Sequence, residues 1–331
     1  MRSIPTALTG TLLAASALSG CAAFSDDGAG ASGGDGLQVV AAFYPLQYVA
    51  QRVAGDRAEV DNLTKPGGEP HDLEIPPSET ARIVDADLLV VESGFQPAVD
   101  DSVGQNATGE VVDAADVVEL LPAGEEHAGE SAEEHAEHAE HEGEEGHSEE
   151  EEEEGHDHGD VDPHFWQDPA RMARLADAVA EKLAEVDPDH ADEYAANAGR
   201  LRDELTDLDT AYDEGLSDCE RDTVVVSHDA FGYLEKYGLT MEPIAGLSPG
   251  AEPTPADLAR LQDLIGSDGI TTVFSERLVS PRLSESLARD AGVATAVLDP
   301  VEGLSDQTAD DDYLSLMRSN LAALQKANGC R

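Results

Sequence analysis

Short apolar runs alternate with amphipathic stretches along both halves of the chain. In the first half, strands are predicted at 37–43, 58–63 and 88–92, helices at 45–55 and 77–85, and a weaker element at 111–118. In the second half, a strand is predicted at 223–226 and a helix at 231–237, and the alternation continues through 239–244, 254–265, 271–274, 281–291 and 293–298. This pattern predicts an α/β fold with two lobes, each a mainly parallel sheet flanked by helices.

A long helical region separates the two halves. Apolar residues recur at helical spacing over 169–186, Pro188 interrupts the pattern, and a second stripe runs over 191–216 without a proline. A helix of about 25 residues is about 40 Å long. We therefore expect a stiff helix at 188–217 to connect an N-terminal lobe at 37–187 to a C-terminal lobe at 218–331, which ends in a helix predicted at 309–327.

The N-terminus has the pattern of an export signal. Arg2 is followed by an apolar stretch that ends in Leu18-Ser19-Gly20-Cys21, an order that resembles the bacterial lipobox. We expect residues 1–20 to be a lipoprotein signal peptide and Cys21 to be lipidated, which would anchor the chain outside the cytoplasm on the cell membrane. An ordinary secretory signal is the alternative. The Gly/Ser-rich residues 21–36 predict a flexible tether.

Charge narrows the range of partners. The formal net charge is -52, which excludes nucleic-acid binding as a main activity. The segment 125–160 carries eighteen Asp or Glu residues, seven His, and no Lys or Arg, so its composition predicts disorder. Because His-rich tracts chelate metals, we expect it to be a low-affinity metal-collecting loop rather than only a solvating one. Its histidines are His127, His135, His138, His141, His147, His156 and His158.

Two cysteines remain beyond Cys21. Cys219 and Cys330 are expected to form a disulfide bond in an oxidising compartment. Metal binding by the two thiolates is the alternative. A bond would tie the last helix to the beginning of the second half.

Three histidines outside the acidic segment follow predicted strands or precede a predicted helix. They are His71, His164 and His228, and Asp299 follows the predicted strand at 293–298. Strand ends are where α/β folds place ligand sites. Three imidazoles and a carboxylate match what Zn²⁺ accepts in a tetrahedral site. Taken singly, a histidine at a strand end is more often a hydrogen-bonded loop residue than a ligand, and an aspartate before proline often begins a turn.

The sequences around these residues resemble one family. The relevant segments are PHDLEIPPSE at 70–79, DPHFWQDP at 162–169, VSHDAFGYL at 226–234, TTVFSERLVSP at 271–281 and VLDPVEGLS at 297–305. They resemble the metal-specific solute-binding proteins of bacterial ABC importers, the zinc and manganese group that includes ZnuA-like proteins. The resemblance implies two lobes joined by a long helix, no enzymatic activity, and metal ligation by His71, His164, His228 and Asp299. It also implies delivery of the ion to a permease with its ATPase subunit, and we expect a monomer.

The chain departs from the family pattern at two motifs. Ile75 and Pro76 follow Glu74 where Pro and Thr are usual, and Gln167 stands where Leu is common. In some members a carboxylate just before the first His, or water, completes the site. Here Pro70 holds that place and Glu69 precedes it, so Asp299 is favoured over Glu69 as the fourth ligand.

The ligand types favour zinc. Manganese members generally have Glu in place of the third His, whereas His228 is retained here, and imidazole suits zinc. The same set would also bind Cu²⁺ or Ni²⁺. The alternatives are a manganese- or iron-binding protein of the same family, a surface adhesin, and a zinc hydrolase, for which Glu276 and Asp229 are the nearby acids to test.

Overall fold

The computed structural model describes residues 36–123 and 161–331. The predicted signal peptide, Cys21 and the seven histidines of the acidic segment lie outside these residues. From Gly36 to Arg331 the chain groups into one compact unit, and the predicted domain bounds within it stay a prediction.

The first half of the described chain forms a four-stranded parallel sheet. Its strands are β1 (Leu37–Ala41), β2 (Ala58–Asn62), β3 (Leu88–Val91) and β4 (Glu110–Asp113). They lie in the order β2-β1-β3-β4. The helices are α1 (Tyr44–Ala54), α2 (Pro77–Asp85), α3 (Pro97–Asn106) and α4 (Ala114–Val117). The first three each have proline in their first turn, where no backbone donor is needed.

The middle of the chain contains two packed helices. A short antiparallel pair, β5 (Leu121–Pro122) and β6 (Val161–Asp162), precedes α5 (Pro169–Val186) and α6 (Ala191–Leu216). Both helices agree with the bounds that the apolar stripes predict. The stripes are buried at Met172, Leu175, Val179, Leu183, Leu201, Leu205, Leu208 and Tyr212. The long connecting helix is therefore buried along one face, and α5 packs against this face.

The second half repeats the parallel arrangement. Its strands are β7 (Thr223–Val226), β8 (Thr240–Pro243), β9 (Thr272–Ser275) and β10 (Ala294–Val297), in the order β10-β9-β7-β8. Its helices are α7 (Pro255–Asp268), α8 (Arg282–Ala291) and α9 (Tyr313–Asn328). The fold of two parallel sheets flanked by helices confirms the predicted class.

Several elements differ from the prediction, among them the short strands β5 and β6, which were not predicted. Helix α3 was not predicted, because only Val99 and Ser102 of its residues are buried and its apolar pattern is weak. The helix predicted at 231–237 is a 3-10 helix, Gly232–Tyr237. The last helix begins at Tyr313 because the Asp312 side chain caps it, accepting from the Ser315 backbone N–H.

The larger hydrophobic core runs through both halves. It includes residues of β1 and β3, the stripes of α5 and α6, and Val224, Val226 and Phe274 of the second sheet. The predicted disulfide bond joins Cys219, just after α6, to Cys330, just after α9. Among the described residues, no helix combines the length and the apolar character that crossing a membrane requires.

Candidate metal centre

Three histidines from distant parts of the chain meet in one place. His71 lies in the loop after β2, His164 follows β6, and His228 lies two residues beyond the end of β7. Their ring centroids are 5.4 Å (His71–His164), 5.7 Å (His71–His228) and 5.4 Å (His164–His228) apart. The structure therefore brings together all three imidazoles that the sequence singled out.

The fourth member of the group is Glu302. Its Oε1 atom lies 3.5 Å from Nε2 of His71, 3.6 Å from Nε2 of His164 and 3.4 Å from Nε2 of His228. In a regular tetrahedral site with bonds of about 2.0–2.1 Å, neighbouring ligand atoms lie about 3.3–3.4 Å apart. The distances from Glu302 to the three nitrogens thus fit a tetrahedral ion at the centre. The four candidate ligand atoms all lie within 4.8 Å of one another.

The expectation that Asp299 would be the fourth ligand is corrected by this geometry. Asp299 is outside the group of four ligand atoms. Its Oδ1 accepts a hydrogen bond from the Val301 backbone N–H at 2.9 Å, and its Oδ2 lies 3.0 Å from Nε of Arg277. The carboxylate is thus committed to its own turn and to a cation. Glu302, three residues further along the same motif, faces the imidazoles instead.

Glu69 is not part of the group either. Its Oε1 accepts a hydrogen bond from the His71 backbone N–H at 3.2 Å. Burial and the negative charge of Glu302 raise the pKa of Glu69 to about 7. Glu69 therefore supports the loop that carries His71 and is not among the candidate ligands.

All four side chains are removed from solvent. His164 and His228 are fully buried, His71 is 2% exposed and Glu302 is 1% exposed. Four polar side chains would be costly to bury together without a compensating charge. An ion of charge +2 would supply that compensation, since metal coordination is one of the few ways in which buried charges are satisfied.

Carboxylates behind two of the imidazoles fix their orientation. Nδ1 of His164 lies 2.8 Å from Oδ1 of Asp162, and Nδ1 of His228 lies 2.5 Å from Oε1 of Glu276. Each carboxylate accepts a hydrogen bond from Nδ1–H, which keeps the proton on Nδ1 and leaves the Nε2 lone pair directed at the site. Such carboxylate–imidazole pairs are typical of zinc centres. Glu276, considered as a base for a hydrolase, is thus engaged with His228.

Aromatic rings form a wall behind His71 and His164. Phe95 contacts His71 edge to face at 4.8 Å, and Trp166 contacts His164 at 5.1 Å between ring centroids. Phe43 packs on both, at 4.8 Å from Phe95 and 4.9 Å from Trp166. This wall excludes water and limits how far the imidazoles can rotate.

The protonation of the metal-free site follows from burial and from the carboxylates. Burial lowers the pKa of His71. Burial also acts to lower the pKa of His228, but the charges and hydrogen bonds of Glu276 and Glu302 outweigh it and raise that pKa to about 10. Burial raises the pKa of Glu302, yet the three imidazoles hold it well below its usual range. An incoming cation would displace protons from the imidazoles and take their place beside Glu302.

The fold and the site together are those of a metal-binding solute-binding protein. Two parallel sheets are joined by a long helix, and a buried group of three imidazoles and one carboxylate lies at the ends of strands and loops from both. The family profile described as "Zinc-uptake complex component A periplasmic" matches residues 39–327. The chain belongs to this family, the ZnuA family.

Relatives of the chain are named for zinc. It is 36% identical over 303 residues to the zinc-binding lipoprotein AdcA of Streptococcus pneumoniae (strain ATCC BAA-255 / R6), covering 88% of this chain and 55% of the relative. The chain thus spans about half the length of that protein. It is 35% identical over 312 residues to the high-affinity zinc uptake system protein ZnuA of Bacillus subtilis (strain 168), covering 92% of each.

Solved structures share the fold. Zn(II)-bound AdcA from Streptococcus pneumoniae matches with a TM-score of 0.70 and 31% identity, over 88% of this chain and 58% of that one. The laminin-binding protein Lmb of Streptococcus agalactiae, described as having adhesin and metal-transporting activity, matches with a TM-score of 0.73 and 26% identity, over 88% of this chain and 99% of that one.

Proposed function

We propose that this protein captures Zn²⁺ outside the cytoplasm and delivers it to an ABC permease and its ATPase subunit for import. The ligands are His71, His164, His228 and Glu302. The observation that carries the proposal is the set of distances of 3.4–3.6 Å from Oε1 of Glu302 to three buried Nε2 atoms. The names of its relatives, including that of a Zn(II)-bound solved structure, support the same cargo.

The choice of ion rests on the kind of ligand atoms. Three imidazole nitrogens and one carboxylate oxygen suit Zn²⁺, whereas Mn²⁺ prefers a larger share of oxygen ligands. Assigning Glu302 instead of Asp299 as the fourth ligand leaves this argument unchanged, because both side chains are carboxylates. Manganese or iron transport by the same fold is the alternative, and competition between metals for the purified protein distinguishes the two.

Release to the permease requires that the protein reach it. A lipid on Cys21 would confine the protein to the membrane that holds the permease, and residues 21–36 would give it reach. Labelling of the native protein with a lipid precursor, with Cys21→Ala as the control, tests the anchor. A wild-type protein that stays unlabelled would contradict it.

The seven histidines between 125 and 160 are proposed as a collector of zinc beside the site. Imidazoles interleaved with carboxylates bind divalent ions weakly and in number. Deleting residues 125–159 should lower the number of zinc ions bound per chain and slow growth at low zinc, while the high-affinity ion stays bound. If stoichiometry and growth are both unchanged, the segment has no such role.

The central proposal is tested by metal titration. Wild-type protein competing with a chromophoric chelator should bind one tight Zn²⁺ ion, and His71→Ala, His164→Ala and Glu302→Gln should each weaken it severely. His190→Ala is the matched control, because the His190 side chain is 36% exposed and pairs with Asp187. Wild-type affinity in any ligand variant would remove that residue from the site. Tight binding of Mn²⁺ in preference to Zn²⁺ would overturn the choice of cargo.

A further inference from the structure

The turn that carries Glu302 has an unusual backbone. Val301 has a φ angle of +61°, and it is the one residue other than glycine with a positive φ among residues 36–123 and 161–331. A β-branched side chain is strongly disfavoured in this region, because its Cβ crowds the neighbouring carbonyl. The side chain is also fully buried. Such a conformation persists only where the surrounding structure holds it.

Asp299 and Asn320 hold the turn from one side. Oδ1 of Asp299 accepts the Val301 backbone N–H at 2.9 Å. The side-chain amide of Asn320, on α9, pairs with both backbone groups of Asp299: Oδ1 accepts its N–H at 2.9 Å and Nδ2 donates to its carbonyl at 2.6 Å. The Asp299 and Asn320 side chains are both buried. Asp299, two residues before the strained position, is therefore fixed at its backbone and at its carboxylate.

Two residues beside a metal ligand hold the turn from the other side. The Pro300 carbonyl accepts hydrogen bonds from Nε1 of Trp166, at 2.8 Å, and from Nε2 of Gln167. Both donors follow His164 within three residues. Gln167 is a position where this chain departs from the usual leucine, and leucine could not make this bond.

The same segment also contacts the loop of the first ligand. The backbone N–H of Gly67 donates to the carbonyl of Leu304 at 2.7 Å. Gly67 lies four residues before His71, and Leu304 lies two residues after Glu302. The turn at 299–304 is thus bonded to the two segments that carry His71 and His164. Its conformation decides where the Glu302 carboxylate stands relative to the imidazoles.

We propose that Asp299 is a positioning residue that sets metal affinity through Glu302, by holding Val301 in the left-handed conformation, and that it does not bind the metal. The inference rests on the proposed function of zinc binding. Without the acceptor on Asp299, Val301 relaxes to a negative φ, and the following residue turns its carboxylate away from the three Nε2 atoms. Asp299, which the sequence motif suggests as a ligand, thus supports Glu302, which takes that role.

Substitutions at Asp299 separate support from ligation. Asn keeps an oxygen that accepts the Val301 N–H but removes the negative charge, whereas Ala removes both. Asp299→Ala should weaken Zn²⁺ binding by about 10–100-fold, as is usual for residues that orient metal ligands, and Asp299→Asn should recover most of that loss. Affinities come from competition with a chromophoric chelator. A loss in Asp299→Asn as large as that in Glu302→Gln would show that Asp299 acts as a charged ligand and would overturn the proposal.

A double-mutant cycle with Glu302→Gln tests whether Asp299 acts through Glu302. Once the Glu302 carboxylate is gone, its position no longer matters, so Asp299→Ala/Glu302→Gln should bind zinc within about twofold of Glu302→Gln alone, the usual error of additivity. Fully additive losses would overturn the proposal. Should Asp299→Ala fail to fold, Asp299→Asn decides the question alone. Failure of the wild type to bind zinc, measured in the same titration, would instead overturn the proposed function itself.

The strain at Val301 has a readout that does not depend on metal. Glycine adopts a positive φ freely, so Val301→Gly should melt at a higher temperature than Val301→Ala in the metal-free protein. At an ordinary strand position the order is reversed, and Val111, exposed in β4, is the matched control: Val111→Gly should melt below Val111→Ala. If Val301→Gly also melts below Val301→Ala, the backbone is not strained and the positioning role fails.

Discussion

The two sheets of the molecule have the same strand order but different tasks. Counted from the first strand of each half, both sheets run second-first-third-fourth, as β2-β1-β3-β4 and as β8-β7-β9-β10. In both, the first and third strands are adjacent and parallel. The two halves can therefore be compared strand by strand.

The strand register places two pairs of residues in equivalent positions. Ala41 is opposite Val90 in the first sheet, and Val225 is opposite Val273 in the second. Continued residue by residue past the strand ends, this register sets Phe43 opposite Glu92 and His228 opposite Glu276. Each half thus has a glutamate directly after its third strand, facing an aromatic ring two residues after its first.

Only the second of these pairs belongs to the candidate metal site. His228 and Glu276 are 2.5 Å apart, and Nε2 of the same imidazole faces Glu302. In the first half Phe43 takes the place of the imidazole and packs in the aromatic wall behind the site. Glu92 is 2% exposed, and neither of its carboxylate oxygens has a hydrogen-bond partner among the described residues. The second half thus contributes an imidazole with a carboxylate behind it to the candidate site, while the first half lines the site and contributes His71 from a loop.

Making the second half like the first should have the largest effect. His228→Phe reproduces the Phe43–Glu92 pair at the metal site, removes one ligand and leaves Glu276 without its partner. We expect zinc affinity to fall by more than about 100-fold, the upper end of what loss of a ligand's supporting residue causes. Isothermal titration of zinc measures it, with His190→Phe as the control. Near wild-type affinity in His228→Phe would mean that the second half does not anchor the metal.

The halves also differ in covalent support. The disulfide bond ties α9 to the segment before β7, across a sequence separation of 111 residues. In the chain-entropy model, closing so long a loop is worth at most about 4–5 kcal/mol of unfolding free energy. Cys219→Ala/Cys330→Ala should lose a large part of this in urea unfolding while keeping its zinc affinity, because the bond lies away from the ligands. A double variant with unchanged unfolding free energy would contradict this.

The fold and three of the candidate ligands could be predicted from the sequence for identifiable reasons. The apolar stripes of α5 and α6 face one another in the core, and their bounds agree with prediction because prolines mark where each begins or is interrupted. His71, His164 and His228 were found because each lies in a distinctive motif next to a strand or a helix start. Periodicity and motif were sufficient where the local sequence determines the structure.

The fourth candidate ligand could not be chosen in this way. Asp299 and Glu302 lie three residues apart in an irregular turn, where no period of hydrophobicity says which side chain faces inward. The choice is made by Asn320, Trp166 and Arg277, which approach from distant parts of the chain. Glu92 was missed for the same reason, because its equivalence to Glu276 appears only once the two sheets are formed.

The two equivalent glutamates should respond differently to the same change. Glu276→Gln removes the charge behind the His228 imidazole and should weaken zinc binding by about tenfold, the lower end of the range for such partners. Glu92→Gln should leave zinc affinity nearly unchanged, because neither of its carboxylate oxygens bonds to an imidazole of the candidate site. Titration of both variants against the same chelator measures the contrast. Equal losses of zinc affinity in the two variants would mean that Glu92 supports the metal site as much as Glu276 does, which would contradict the contrast between the two halves.

Glu92 should instead affect how the unfolding free energy depends on pH. Burial raises its pKa well above the usual range, and the charges of Asp162, Asp113 and Asp100 add to this. The folded protein therefore keeps a proton that the unfolded chain loses above a pKa of about 4.3, so Glu92 makes the protein less stable as the pH rises from there towards the folded-state pKa. Glu92→Gln cannot ionise, and its unfolding free energy relative to the wild type should increase by about 1.4 kcal/mol per pH unit across that window. Urea unfolding between pH 4 and pH 8 measures this, with exposed Glu59→Gln as the control for the change of charge. A difference from the wild type that stays constant with pH would show that Glu92 is ionised in the folded protein, and that the first half has a partner for it after all.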